Sequence, residues 1–196
     1  MMKKNILPLI LALLMILAGG CASHSEPATP KKWQTAYVAF LSERLASDVG
    51  GIFEFCLRDI DGDNRSELIT LCSDGDGLSG ILTLYTYDES TVCEIGSYDE
   101  PKTAAAYRIS DNRAFAGLFT LWWGGGVEHY GYLSLREGTL HYELLWEMDR
   151  TAEAPRQSAL SDNQPLVDAS IRLYQTDDNL LEMHLLSETS ISELLR

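Results

Sequence analysis

The stretch Asp59-Ile60-Asp61-Gly62-Asp63-Asn64-Arg65-Ser66-Glu67-Leu68 places four carboxylates within nine residues, at positions 1, 3, 5 and 9 of a loop between two apolar runs. Carboxylates crowded in this way repel one another, and a short turn that aims several oxygens inward relieves the repulsion by taking up a hard dication. Asp59, Asp61 and Asp63 would supply carboxylate oxygens, Arg65 its backbone carbonyl, and Glu67 a carboxylate directly or through water, so the expected ion is Ca2+. Gly62 suits a tight turn. Asn64 stands where glycine is preferred because the backbone adopts positive φ, a conformation that asparagine tolerates. Oxygen-only ligation of this kind is the chemistry of a structural clamp rather than of catalysis. The alternative is a solvated acidic turn that holds no ion.

Position 12 of the loop is Thr70, not the glutamate that seals a helix-loop-helix site, so this is not a complete EF-hand. The stretch resembles instead the Asp-x-Asp-Gly-Asp-Gly-x-x-(Asp/Glu)-Leu loops of FG-GAP and VCBS-type β proteins, departing from them at Asn64. The chain has no internal repeat, which argues against a propeller. Taken with a helix carrying Trp33 and Tyr37 and with the run Leu84-Tyr85-Thr86-Tyr87, the loop is also similar to a group of small extracytoplasmic lipoproteins from Gram-positive anaerobes. That resemblance covers roughly the first half of the mature chain. It implies a fold and an ion, and no agreed activity.

Trp122-Trp123-Gly124-Gly125-Gly126 is the other chemically suggestive stretch. Two large aromatic faces beside accessible glycine backbone would suit a sugar or peptide ligand, whereas the structural alternative is a Trp closing the core above a wide hairpin turn. His129, His141 and His184 lack metal-ligand spacing, and neither a nucleophile elbow nor a phosphate loop is present. No catalytic residue is therefore assigned.

Residues 1–20 join Lys3 and Lys4 to an apolar run from Ile6 to Ala18 and then to small residues, the pattern of a secretory signal peptide. Leu17-Ala18-Gly19-Gly20-Cys21 resembles the bacterial lipoprotein signal, with alanine where leucine is most usual; the resemblance implies cleavage before Cys21 and lipid on its sulfur. Acyl chains there would anchor the protein to the membrane from the extracytoplasmic side. Residues 21–30, small and polar with Pro27 and Pro30, read as a tether. The net charge is −14, and loss of Lys3 and Lys4 with the leader makes the remainder more acidic still, which disfavours nucleic acid as a partner. With Cys21 lipidated, Cys56, Cys72 and Cys93 remain. One Cys56–Cys72 bridge is conceivable, but buried free thiols are the simpler expectation.

Around these residues the spacing of Trp33, Tyr37, Phe40, Leu41 and Leu45 predicts an amphipathic helix over Lys31 to Ala46, ended by Asp48, Gly50 and Gly51. Alternating or β-branched runs predict strands at Ile52–Leu57, Leu68–Cys72, Ile81–Tyr87, Thr91–Ile95, Ala104–Ile109, Ala114–Trp123, Tyr130–Leu135 and Leu140–Glu147. A glycine-rich segment with Asp74 and Asp76 follows the acidic hairpin, and turns are expected at Asp88-Glu89-Ser90, Asp111-Asn112 and Glu137-Gly138. Thr151 to Pro165 reads as a long surface loop. Leu166–Tyr174 is strand or helix, Leu180–Leu186 a strand, and Ser187 caps a short helix running to Leu195.

The expected architecture is thus a single α+β domain over residues 31–196, with an N-terminal amphipathic helix packed on an antiparallel β meander and a short C-terminal helix. The expected role is that of a non-enzymatic, membrane-anchored lipoprotein, braced by calcium, that binds an envelope glycan or protein ligand. The alternative is a glycan- or peptidoglycan-directed hydrolase or its accessory domain.

Overall fold

A computed structural model describes residues 31–47, 52–73, 80–99, 106–110, 112–151, 156–176 and 179–195, all within the compact unit Pro30–Leu195. The signal peptide, Cys21, the tether, the glycines that were to end the first helix, and Asp74, Asp76 and Asp111 lie outside the described residues.

The expected helix forms as α1, Lys32–Ala46. Its first turn is closed by the Lys31 N–H, which donates to Gln34 Oε1 at 2.7 Å. Tyr37 and Leu41, one turn apart, are its buried residues, with Trp33 and Phe40 packed beside them. Then come four antiparallel strands joined in sequence: β1 (Ile52–Arg58), β2 (Glu67–Ser73), β3 (Gly80–Asp88) and β4 (Thr91–Asp99). A second run of five follows: β5 (Ala106–Ile109), a short 3-10 turn at Arg113–Phe115, β6 (Leu118–Gly124), β7 (Val127–Arg136), β8 (Thr139–Asp149) and β9 (Arg156–Ala159). The helix α2 (Gln164–Thr176), the two-residue strand β10 (His184–Leu185) and the helix α3 (Glu188–Glu193) complete the chain. Ser187 caps α3 as expected, its hydroxyl accepting from the Ser190 N–H at 3.1 Å.

The α+β expectation is overturned. The described residues are mostly antiparallel β, in two five-stranded sheets ordered β10-β1-β2-β3-β4 and β5-β6-β7-β8-β9, with three helices. There is no single meander carrying a helix at each end.

The physical reason lies in which faces are buried. Strand alternation puts Cys56, Ile69, Leu82 and Leu84 of the first sheet against Tyr107, Leu118 and Leu133 of the second, forming a core between the sheets. The opposite face of the first sheet, with Phe55, Leu68 and Tyr85, is covered by Tyr37 and Leu41 of α1 and Ile191 of α3. The opposite face of the second, with Phe119, Tyr130, Tyr132 and Leu145, is covered by Leu166, Val167 and Ala169 of α2. Two sheets buried on both faces need helical cover on two sides, so α2 is a helix where the sequence allowed strand or helix.

The loop expected over Thr151 to Pro165 contains β9, whose four residues are all exposed at a sheet edge and so carry no apolar signature. Leu180–Leu186, expected as a strand, pairs at only two points. Leu180 bridges to Arg108 of the second sheet, and His184–Leu185 pairs with β1 of the first, so the segment links one sheet to the other. Among the described residues no helix is long and apolar enough to cross a membrane.

Candidate metal centre

The acidic loop joins β1 to β2, whose ladder closes on the pair Arg58↔Glu67. Ile60, the apolar residue inside the acidic run, is only 2% exposed and sits in the core between the sheets. This pins the loop from below and turns its neighbours Asp59 and Asp61 toward a common point. The Ile60 N–H donates to Glu67 Oε2 at 2.9 Å, tying the start of the loop to its end.

The aspartates close the rest of the turn onto the backbone. Asp59 accepts from the Gly62 N–H on Oδ1 at 2.7 Å and from the Asn64 N–H on Oδ2 at 2.9 Å, and Asp61 Oδ1 accepts from the Asp63 N–H at 3.0 Å. Gly62 and Asn64 have φ of 84° and 68°, the left-handed conformation for which glycine and asparagine suit those positions. From the helix side, the buried Tyr37 hydroxyl donates to the carbonyls of Ser66 at 3.1 Å and Tyr85 at 3.3 Å, so α1 holds the residue immediately before Glu67.

One ligand atom each from Asp59, Asp61 and Glu67 lies within 4.8 Å of the others. Among the described residues this is the group that can hold a metal ion, and it contains three of the four expected carboxylates. Asp63 lies outside that group and is engaged by Arg65. Its Oδ1 accepts from the Arg65 N–H at 2.6 Å and its Oδ2 lies 3.6 Å from Arg65 Nε. The Arg65 head also donates from Nη1 to the Tyr87 carbonyl at 3.2 Å.

Glu67 is 2% exposed, and its carboxyl is pushed up to about 7 by burial and by the charges of Asp61, Asp63 and Asp59, which outweigh the Ile60 N–H. Asp61 is raised as well, by burial first and then by Asp63 and Asp59, against the stabilising Asp63 N–H and the Arg65 charge. Burial and the Glu67 charge likewise raise the Tyr37 phenol. A hard cation fits this donor set, because three oxygens converge on one point where each carboxylate makes ionisation of the next harder.

The two tryptophans are not brought together. They are consecutive in β6, so Trp122 shares the face of Leu118 and Thr120 while Trp123 shares that of Phe119 and Leu121. The Trp122 ring is stacked on His129 with centroids 3.6 Å apart, and its Nε1 donates to Tyr142 Oη at 3.3 Å. His129 Nδ1 in turn lies 2.7 Å from Glu147 Oε1. Trp123, 38% exposed, donates from Nε1 to Glu128 Oε1 at 3.3 Å. Glu128 Oε2 also takes the Tyr130 hydroxyl at 2.6 Å and Arg150 Nη2 at 2.9 Å. The glycines form a tight two-residue turn rather than a wide one, with Gly125 and Gly126 at φ 61° and 85° between the paired Gly124 and Val127.

Cys56, Cys72 and Cys93 are all free thiols. Cys56 stands opposite Ile69 in the ladder and Cys72 opposite Phe53, and burial pushes the Cys56 thiol up to about 12, so it behaves as a small apolar side chain.

No family model matches the chain, and no curated protein and no solved structure matches it either. Two residues that shape the centre were not singled out from sequence for that role. Ile60 was visible as a lone apolar residue among carboxylates, which signals a loop anchored to a core. Tyr37 was assigned to the helix stripe, and nothing in its spacing marks its hydroxyl as the partner of Ser66.

Proposed function

We propose that this chain is a membrane-anchored extracytoplasmic lipoprotein, held by lipid on Cys21, whose β-rich domain is braced by Ca2+ in the β1–β2 loop and serves as a non-enzymatic binding protein of the cell envelope. The observation that carries the calcium part is the convergence of Asp59, Asp61 and the buried Glu67 within 4.8 Å. Asp59, Asp61 and Glu67 would hold the ion, and the charge it supplies would offset the mutual repulsion of the carboxylates. The chain's own contribution is to fix those oxygens: Ile60 anchors the loop in the core, Asp59 wraps it around two N–H groups, and Tyr37 holds its exit.

Extracellular sites of this class work at dissociation constants up to the millimolar range, so a centre with three carboxylates suits an extracytoplasmic setting. The glycan-directed alternative draws on Trp122 and Trp123 as a shared platform, and the two residues occupy opposite faces of β6. The test is thermal melting in calcium and in a chelator. At calcium about 100 times the dissociation constant, binding contributes about 2.7 kcal/mol. For a domain of this size that is a rise of roughly 5 to 11 °C in Tm. Identical melting in the two buffers would overturn the calcium reading.

A further inference from the structure

We draw no further inference here: the strongest candidate, the apolar groove between the first and last helices lined by Val38, Leu45, Ile191 and Leu195, carries nothing because nothing in the structure shows what covers it.

Discussion

At the scale of single residues the four carboxylates of the loop are not equivalent, and the difference is measurable. Glu67 is buried and faces Asp59 and Asp61, whereas Asp63 is engaged by Arg65. Glu67→Gln and Asp59→Asn should each weaken calcium binding at least tenfold, about 1.4 kcal/mol, while Asp63→Asn should cost clearly less; isothermal titration on the three variants checks the order. Equal losses at all three positions would mean that Asp63 swings into the site. Glu67 adds a second signature. A carboxyl raised from 4.5 to about 7 contributes stability below its ordinary value that is lost as pH rises through the raised one. At pH 8 in chelator, Glu67→Gln should therefore be at least as stable as the parent, though it should bind calcium less tightly. Glu128 runs the other way. Burial alone would raise it, but the hydrogen bonds from Arg150, Tyr130 and Trp123, with the Arg150 charge, bring it below the ordinary carboxylate value. Its contribution is present above the unfolded carboxyl's value and lost as pH falls through the folded one. Urea midpoints of the parent and Glu128→Gln should thus differ at pH 6 and converge as pH falls below the ordinary carboxylate range.

At the scale of elements, what the sequence made legible was whatever is closed locally. The β1–β2 hairpin, its positive-φ Asn64 and the turn at Glu137-Gly138 depend on contacts a few residues apart, and the structure has all three. The partition into two sheets was not legible, because alternation says that a strand has two faces and not which sheet it joins. The partner of Asp63 was not legible for a related reason: its spacing is right for a ligand, and its contacts with the Arg65 N–H and guanidinium are set by the folded turn. The β6–β7 hairpin offers a test at this scale. Gly125 and Gly126 both have positive φ, so alanine at either should cost on the order of 1 to 3 kcal/mol. A Cβ on Gly125 meets open space, whereas one on Gly126 would lie 2.2 Å from Thr151 Cγ2. Gly126→Ala should accordingly be the more destabilising of the two. Thr151→Ala should recover part of that excess and none of the loss at Gly125; a double-mutant cycle by chemical denaturation reads the coupling. No recovery would place the cost in the backbone alone.

At the scale of the whole molecule the question is whether a brace on the first sheet is felt by the second. The physical link is Ile60, which lies inside the loop yet packs in the core that Cys56, Ile69 and Leu82 of one sheet share with Tyr107, Leu118 and Leu133 of the other. A shared core of this kind makes the sheets unfold together, so stabilisation at the loop is transmitted as a change in the free energy of one cooperative transition. The tryptophans allow this to be seen directly. Trp122, Trp123 and Trp146 all belong to the second sheet, and only Trp33 lies on α1 against the first. In a Trp33→Phe/Trp122→Phe variant the remaining indoles, Trp123 and Trp146, lie on the second sheet and report on it, while far-ultraviolet circular dichroism reports on both sheets. On adding calcium the two probes should shift upward by the same amount and stay superimposed. Ile60→Ala, which leaves every carboxylate in place, should lower stability by about 2 to 5 kcal/mol as a buried large-to-small change. If the cores are coupled through this residue, it should also separate the two probes, leaving the fluorescence transition less responsive to calcium than the dichroism. A fluorescence transition indifferent to calcium in the parent as well would show that the sheets unfold independently and that the loop braces the first sheet alone.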